Sequence, residues 1–285
     1  MRHPKLRVSA IQRLCVDDGP GVRTVIFLKG CYLSCPWCCN PEMINYDGDC
    51  YFDNETCIKQ SDNRLCQNCI LTGGTQPIES CLLRSYEKTY NDYDIDELFE
   101  IILRDKYIYD RGGGVTFSGG EPLFQANSLK LLLEKLKNIG IHIAFETTLY
   151  APHSHYNLLK ELVDFWLVDV KYALGYFPNG NYKVLENSFI LNLNDLQGVD
   201  KSHVSYRMVF MSEGMENIES IKQNLIKNDI KDIELLPYHH LAENKYKRLK
   251  KKMTVFHQPT PTEFNELQHA LTSVNINSSI STLCV

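Results

Sequence analysis

The 285-residue chain lacks any uncharged apolar run near the ~20 residues that a membrane-crossing helix requires. It also lacks a strong charge of either sign. Thirty Lys and Arg stand against 35 Asp and Glu, a formal net charge of −5. That balance gives no electrostatic footprint for nucleic acid or an anionic membrane surface. No signal-peptide pattern stands at Met1-Arg-His-Pro-Lys-Leu-Arg7, so the expected location is the cytoplasm. Cysteine, by contrast, is plentiful, with 11 residues. In a reducing cytoplasm so many thiols point to metal or cluster ligation rather than to disulfides.

The most telling absence is local. Cys31, Cys35 and Cys38 lie in Gly30-Cys-Tyr-Leu-Ser-Cys-Pro-Trp-Cys38 with spacing C-x3-C-x2-C. No fourth cysteine follows at ferredoxin spacing. Three thiolates hold three irons of a [4Fe–4S] cluster, and electron-transfer ferredoxins close the fourth with another thiolate. Here that iron keeps an open position for a substrate or cofactor. The bland alternative is a structural zinc or three buried thiols. A second group, Cys57, Cys66, Cys69 and Cys81, has spacing C-x8-C-x2-C-x11-C, which is not a ferredoxin run. Most of the remaining cysteines (Cys15, Cys39, Cys50 and Cys284) are expected to be bystanders.

The β-branched run over 22–28 predicts a first strand, and the three-cysteine loop follows it directly. Residues 45–93 are polar, rich in Cys, Asn and Asp, and without long periodicity. They read as an insertion with little regular structure. Alternation of strand and helix resumes at Asp94. Asp94-Ile-Asp-Glu97 resembles a capping box for a helix to about 104. Strands are predicted over 115–117, 141–146, 165–170, 204–211 and 233–236, and helices over about 126–138, 154–163, 216–228 and 262–274, the last opened by Pro261. The fold class expected is α/β. Six strands with intervening helices argue for a parallel sheet closed or partly closed as a (β/α)6 barrel, two units short of the full eight. Residues 1–44 and 94–285 would form the barrel, and 45–93 the Cys-rich insertion. Sites in such folds lie at the C-terminal ends of strands. The cysteine loop, Ser118-Gly-Gly-Glu121, Glu146-Thr-Thr148, Asp169-Val-Lys171 and Pro237-Tyr-His239 all follow predicted strands, so five polar motifs are expected on one face.

In order along the chain, Asp18-Gly-Pro-Gly-Val-Arg23, the cysteine loop with Trp37 before its last cysteine, Gly112-Gly-Gly-Val-Thr-Phe-Ser-Gly-Gly-Glu121 and Leu235-Leu-Pro-Tyr-His239 resemble the radical S-adenosylmethionine (SAM) superfamily. Within it they are similar to the glycyl-radical-enzyme activating enzymes, the pyruvate formate-lyase activating enzyme group. The resemblance implies a partial barrel of radical SAM type. It further implies that Cys31, Cys35 and Cys38 bind the cluster while SAM chelates the open iron. Reductive cleavage would give a 5′-deoxyadenosyl radical that takes hydrogen from a glycine of a partner glycyl radical enzyme. A flavodoxin or ferredoxin-type reductant would supply the electron, and the chain would act as a monomer.

Residue chemistry is compatible with those roles. Gly119 and Gly120 have no Cβ and would let backbone approach the methionine moiety, while Glu121 would orient that loop. Trp37 and neighbouring backbone would flank the adenine, and Cys39 would tune the cluster or stand beside it as a free thiol. Asp169, Val170 and Lys171 would sit beside SAM's zwitterionic end, although Asp169 and Lys171 also suit a plain ion pair. His239 would bond the nucleoside, or is an ordinary loop histidine. Glu146, Thr147 and Asp169 offer oxygens where some relatives seat a monovalent cation. Arg207 would face the cavity and steer a carboxylate or the incoming peptide, although Arg207 and Glu146 read equally as plain structural residues. Two departures stand out: Cys39 where such activators often have histidine, and Glu146 where they often have Asp.

Many activators of this group carry two ferredoxin-like clusters in an insertion at this place. Cys57, Cys66, Cys69 and Cys81 are expected to hold one auxiliary [4Fe–4S] cluster, for electron relay or partner docking, with a single zinc as the alternative. A phosphate-cradling reading of Gly112–Gly120 fails for want of the P-loop Lys-Ser/Thr. The basic run Lys245–Lys252 reads as a solvated helix face or a docking surface. Three functions are open: an activase, a radical SAM enzyme acting on a peptide or small molecule, and a non-enzymatic electron carrier. The intact Gly-Gly-Glu and Asp-Val-Lys motifs argue against the last.

Overall fold

The computed structural model describes residues 4–57, 66, 69, 81, 83–171, 179–180 and 182–281. Among these, nine strands form one sheet: β1 (Lys5–Cys15), β2 (Arg23–Leu28), β3 (Asn91–Asp94), β4 (Gly114–Gly119), β5 (Ile143–Thr147), β6 (Phe165–Asp169), β7 (Val204–Phe210), β8 (Asp232–Pro237) and β9 (Asn277–Ile280). Their lateral order is β9-β8-β7-β6-β5-β4-β2-β1-β3. All neighbours from β2 to β9 pair in parallel, whereas β1 pairs antiparallel with both β2 and β3. The helices are α1 (Ile95–Leu103), α2 (Lys106–Tyr109), α3 (Ala126–Asn138), α4 (His153–Leu159), α5 (Tyr182–Gln197), α6 (Ile218–Lys227), α7 (Glu243–Arg248) and α8 (Pro261–Thr272). The expected α/β class with a parallel sheet is met.

Period-two alternation sets the two faces of the central strands. Phe117, Phe145 and Trp166 stand opposite one another on β4, β5 and β6. Their rings meet edge to face at 5.8 and 5.6 Å between centroids, a cross-strand aromatic ladder that ties three strands together. Tyr156 of α4 packs on Trp166 at 5.4 Å, so this face is roofed by helices. α3 shows why: Leu129, Leu132, Leu133 and Leu136 recur at helical spacing and are fully buried. The residues one step along, Ser118 and Glu146, therefore face the opposite side, where the site lies.

The predicted capping box at Asp94 does not form. Asp94 is the N-cap of α1 but its side chain caps nothing; it lies 3.6 Å from Lys5 on the adjacent strand instead. A capping box occurs at α8, where Thr260 and Glu263 bond reciprocally ahead of Pro261. Within residues 45–93, Cys50–Phe52 pairs antiparallel with Tyr86–Lys88, and β3 extends the main sheet next to β1.

Arg23 anchors the turn before β2 and is 1% exposed. Its guanidinium donates to Thr116 Oγ1 at 2.6 Å, to the Pro20 carbonyl at 2.8 Å and to the Val115 carbonyl at 2.7 Å, and it lies 3.3 Å from His142 Nδ1. Burial, helped by the Arg23 charge, lowers the His142 pKa. The unfolded chain therefore binds a proton at His142 more readily than the folded one. The stability contributed by this group is fully present above the ordinary histidine pKa near 6.5 and is lost as pH falls toward the lowered folded value. Urea unfolding between pH 7.5 and 5.5 should show stability falling with pH, and His142→Gln should remove part of that fall. An unchanged slope in the variant would contradict this role.

Candidate active site

A cavity of about 310 Å³ opens at the C-terminal ends of the parallel strands, and all five predicted strand-end motifs contribute to its wall. The volume is at the small end for a ligand site. Cys31, Cys35, Cys38 and Cys39 form one side; Gly119 and Gly120, Glu146 and Thr147, Asp169 and Lys171, and His239 supply the rest. Phe27, Val209 and Leu236 give it apolar surface. Sequence reasoning did not single out Asp18 and Ser118 as site residues, although both sit in the motifs it used; both line the cavity.

Backbone bonds position the cysteine loop. Gly30 N–H donates to the Met43 carbonyl at 2.7 Å and Cys31 N–H to the Ile44 carbonyl at 2.9 Å, while Cys38 N–H closes a turn onto the Cys35 carbonyl at 3.1 Å. Next door, Gly120 N–H donates to the Leu28 carbonyl and Glu121 N–H to the Gly30 carbonyl, each at 2.8 Å. This explains the two glycines differently from the expectation that they make room for a ligand. A Cβ on Gly119 would stand 2.5 Å from the Leu28 carbonyl oxygen, and one on Gly120 would stand 2.2 Å from that of Gly30. What needs the space is the protein's own cysteine-loop backbone. Gly119 also holds φ at +103°, which side-chain-bearing residues rarely adopt.

Glu121 ties neighbouring loops together from a fully buried position outside the cavity wall. Its carboxylate accepts from the Leu123 N–H at 3.2 Å, the Thr147 hydroxyl at 2.6 Å, and the Thr148 N–H and hydroxyl at 2.9 and 2.8 Å. One side chain thus joins the end of β4 to the end of β5. Burial raises its pKa, and these donors offset only part of the rise.

The charged residues are paired. Lys171 lies 2.9 Å from Asp169. Burial alone would lower the Lys171 pKa, but Asp169 beside it, and next Cys35, raise it instead. Glu146 accepts from the Ser118 hydroxyl and lies 3.7 Å from Arg207. Its pKa is raised by burial and then by Asp169. Arg207 is not in the wall. It is held between Glu146 and Glu234, the latter at 3.0 Å, and donates to the Asp17 carbonyl. Of the two readings open for Arg207, this placement favours the structural one, a buttress behind Glu146, over a cation facing the cavity. Val170 is also displaced from its expected place: its side chain is 3% exposed in the core, and its N–H bonds the Arg207 carbonyl at 2.7 Å.

Trp37 is 5% exposed and presents an edge to Phe256 at 6.2 Å while reaching the cavity. His239 also lines the cavity, accepts from the Leu241 N–H at 3.3 Å, and has its pKa lowered by burial. Cys39 is exposed at the mouth. Of the later cysteines, Cys66 and Cys69 are joined by a turn, with Cys69 N–H on the Cys66 carbonyl at 3.0 Å. Cys50, Cys57, Cys69 and Cys81 all lie close enough to Tyr86 to oppose its ionisation, although burial is the larger influence.

The donor set suits an iron–sulfur cluster. The three thiols touch the cavity but are enclosed by protein on their other sides; burial pushes Cys31 up to about 12 and Cys35 to about 11, and raises Cys38 strongly. Such thiols ionise only against a strong local positive charge, which ligated iron provides. Among the described residues no three His, Cys, Asp or Glu side chains converge as a single-ion site. A cluster takes one thiolate per iron and asks for no such convergence.

Glu121→Gln should place an amide donor against at least one of four donors. We expect a loss of about 2–4 kcal/mol in urea unfolding, together with poor iron retention. Wild-type stability and iron content in this variant would contradict the loop-tying role.

A family described as a 4Fe-4S single cluster domain matches residues 17–183. The chain is similar to the pyruvate formate-lyase 2-activating enzyme of Escherichia coli K12, 32% identical over 262 residues that cover 90% of this chain and 85% of that one. It is also similar to the 4-hydroxyphenylacetate decarboxylase activating enzyme of Clostridioides difficile strain 630, 31% identical over 270 residues, with 85% and 84% covered. Among solved structures, QueE from Escherichia coli matches with TM-score 0.52 and 15% identity over 98% of this chain and 94% of that one. A radical SAM methyltransferase from Sphaerobacter thermophilus matches with TM-score 0.53 and 12% identity, covering 98% and 77%. At those identities the structural likeness is one of fold.

Proposed function

The chain belongs to the radical SAM activating enzymes of glycyl radical enzymes, and from that premise we propose how its cavity serves as the activase site. The observation that carries the assignment is the single cavity shared by the cysteine loop and the Asp169–Lys171 pair. When bound, the [4Fe–4S] cluster and SAM supply a 5′-deoxyadenosyl radical, which takes a hydrogen atom from a glycine of the partner glycyl radical enzyme. Cys31, Cys35 and Cys38 hold the cluster. Asp169 and Lys171 orient the amino and carboxylate groups of SAM, and the Gly119–Gly120 backbone fixes where its methionine end lies. Trp37 and His239 bound the nucleoside, with Phe27, Val209 and Leu236 excluding water. Cys39, exposed in the cavity lining, stands beside the cluster loop, where it tunes the cluster or remains a free thiol. Glu146, Thr147 and Asp169 offer oxygens to a monovalent cation, in competition with Lys171 and Arg207.

The finer architecture belongs to the same proposal. Six consecutive parallel strands, β2 and β4 to β8, are read as a partial (β/α)6 barrel spanning 1–44 and 94–285, with 45–93 as an insertion. Cys57, Cys66, Cys69 and Cys81 would hold a second [4Fe–4S] cluster. The site would be served in the cytoplasm by a flavodoxin or ferredoxin-type reductant, the chain acting as a monomer. No helix of the described residues is long and apolar enough to cross a membrane. The relatives named above are activating enzymes, so modification of a free peptide or small molecule is not carried forward.

Anaerobic incubation of the reconstituted protein with SAM, a reductant and a partner glycyl radical enzyme should give a glycyl EPR doublet. Cys35→Ala should abolish it. SAM cleavage without the doublet would refute the activase role with that partner. Iron analysis of the same sample should give about eight irons per chain, two four-iron clusters. About four irons, with or without a zinc, would remove the second cluster.

A further inference from the structure

The basic run at 245–252 is not the solvated face that its charge suggests. Four of its cations land on protein, in two groups. On the cysteine-loop side, Lys245 Nζ donates to Asn40 Oδ1 at 2.6 Å and to Glu42 Oε1 at 2.7 Å. Lys251 Nζ reaches the Pro41 carbonyl at 3.3 Å. Tyr246, 8% exposed, donates its hydroxyl to the Cys38 carbonyl at 3.2 Å. On the side of residues 49–52 and 86–88, Lys251 pairs with Asp49 and Arg248 with Glu87, each at 2.7 Å. The Arg248 guanidinium stands 4.4 Å over the Tyr51 ring, and Lys250 3.6 Å over Phe52.

We propose that α7 and the residues just after it form a strap that sets the reducibility of the site cluster, with Lys245 and Tyr246 as its positioning residues. The inference rests on the reading above that Cys31, Cys35 and Cys38 hold that cluster. Asn40 lines the cavity two residues beyond Cys38, so the strap grips the backbone that carries the third thiolate. A reduced cluster carries one more negative charge than an oxidised one. The Lys245 ammonium offsets the buried Glu42 carboxylate that it holds beside the cysteine loop; without it that carboxylate would oppose the added electron, and protein screens it less than water does. A hydroxyl donating to the carbonyl of a ligating cysteine withdraws charge in the same direction and holds the ligand still. Both groups therefore make the cluster easier to reduce. Because the same short segment grips the Cys50–Phe52 and Tyr86–Lys88 strand pair, that pair is coupled mechanically to the site.

The test is an EPR-monitored redox titration of the SAM-responsive cluster signal in reconstituted Lys245→Met, Lys245→Arg, Tyr246→Phe and Lys247→Met. Lys247 is exposed on the same helix and serves as the charge control. Lys245→Met should lower the reduced-to-oxidised ratio at fixed poise about tenfold, ~59 mV for one electron. Lys245→Arg should restore most of it. Tyr246→Phe should lower it about threefold, and Lys247→Met should leave it at the wild-type value. If Lys245→Met fails to hold iron, Tyr246→Phe decides, since it removes one hydroxyl only. Unmoved potentials in iron-replete Lys245→Met or Tyr246→Phe would overturn the strap while leaving the functional reading intact. A wild-type protein without a SAM-responsive cluster would overturn that reading, and the strap with it.

Discussion

Two backbone hydrogen bonds carry the organisation of this molecule: Gly120 N–H on the Leu28 carbonyl and Glu121 N–H on the Gly30 carbonyl. They join the end of β4 to the start of the cysteine loop, at a separation that no side chain on residue 119 or 120 would allow. From that junction Glu121 reaches across to Thr147 and Thr148 at the end of β5. Three strand ends are thereby locked to one another before any cofactor is considered. A cluster loop held by backbone and by a buried carboxylate has few conformations to lose on loading. That is the preorganisation a radical site needs if its reactive groups are to keep one geometry.

Charge in the site is arranged in compensated pairs. Asp169 answers Lys171, and Glu146 answers Arg207, which Glu234 supports from behind. These pairs spare Asp169, Lys171, Glu146 and Arg207 the cost of standing as isolated buried charges, and Asp169 and Lys171 line the cavity with both signs. The apolar surface supplied by Phe27, Val209 and Leu236 keeps the local dielectric low, so those same groups act more strongly than they would in water. The strap around α7 extends this logic outward. Its cations are placed by Glu42, Asp49 and Glu87, and through them the cysteine loop and the Cys50–Phe52 and Tyr86–Lys88 strand pair share one support.

Much of this was legible in the chain because the relevant signals are local. Five of the six predicted strands are mainly apolar runs that lead into a polar motif, and a parallel sheet brings such ends to one edge. The gathering of Cys31–Cys39, Gly119, Glu146, Asp169, Lys171 and His239 around one cavity follows from that alone. What was not legible depends on partners distant in sequence. Arg207 looked like a cavity cation until Glu146 and Glu234 were seen to flank it. Gly119 and Gly120 looked like ligand clearance until the Leu28 and Gly30 carbonyls appeared where a Cβ would go. The basic run at 245–252 looked solvated because its acceptors, Asn40, Glu42 and Asp49, lie about two hundred residues earlier. Asp94 matched a capping pattern, but its side chain turned toward Lys5. β9 carries no apolar alternation and is defined by its pairing with β8.

The central claim is that this cavity directs a SAM-derived radical to a glycine of a second protein. Its most direct measurement is hydrogen transfer itself: a partner enzyme labelled with deuterium at glycine Cα, activated by this protein, with the 5′-deoxyadenosine then examined by mass spectrometry. The account predicts one deuterium in the 5′-deoxyadenosine, formed in step with the glycyl radical. Unlabelled 5′-deoxyadenosine produced alongside an activated partner would contradict it.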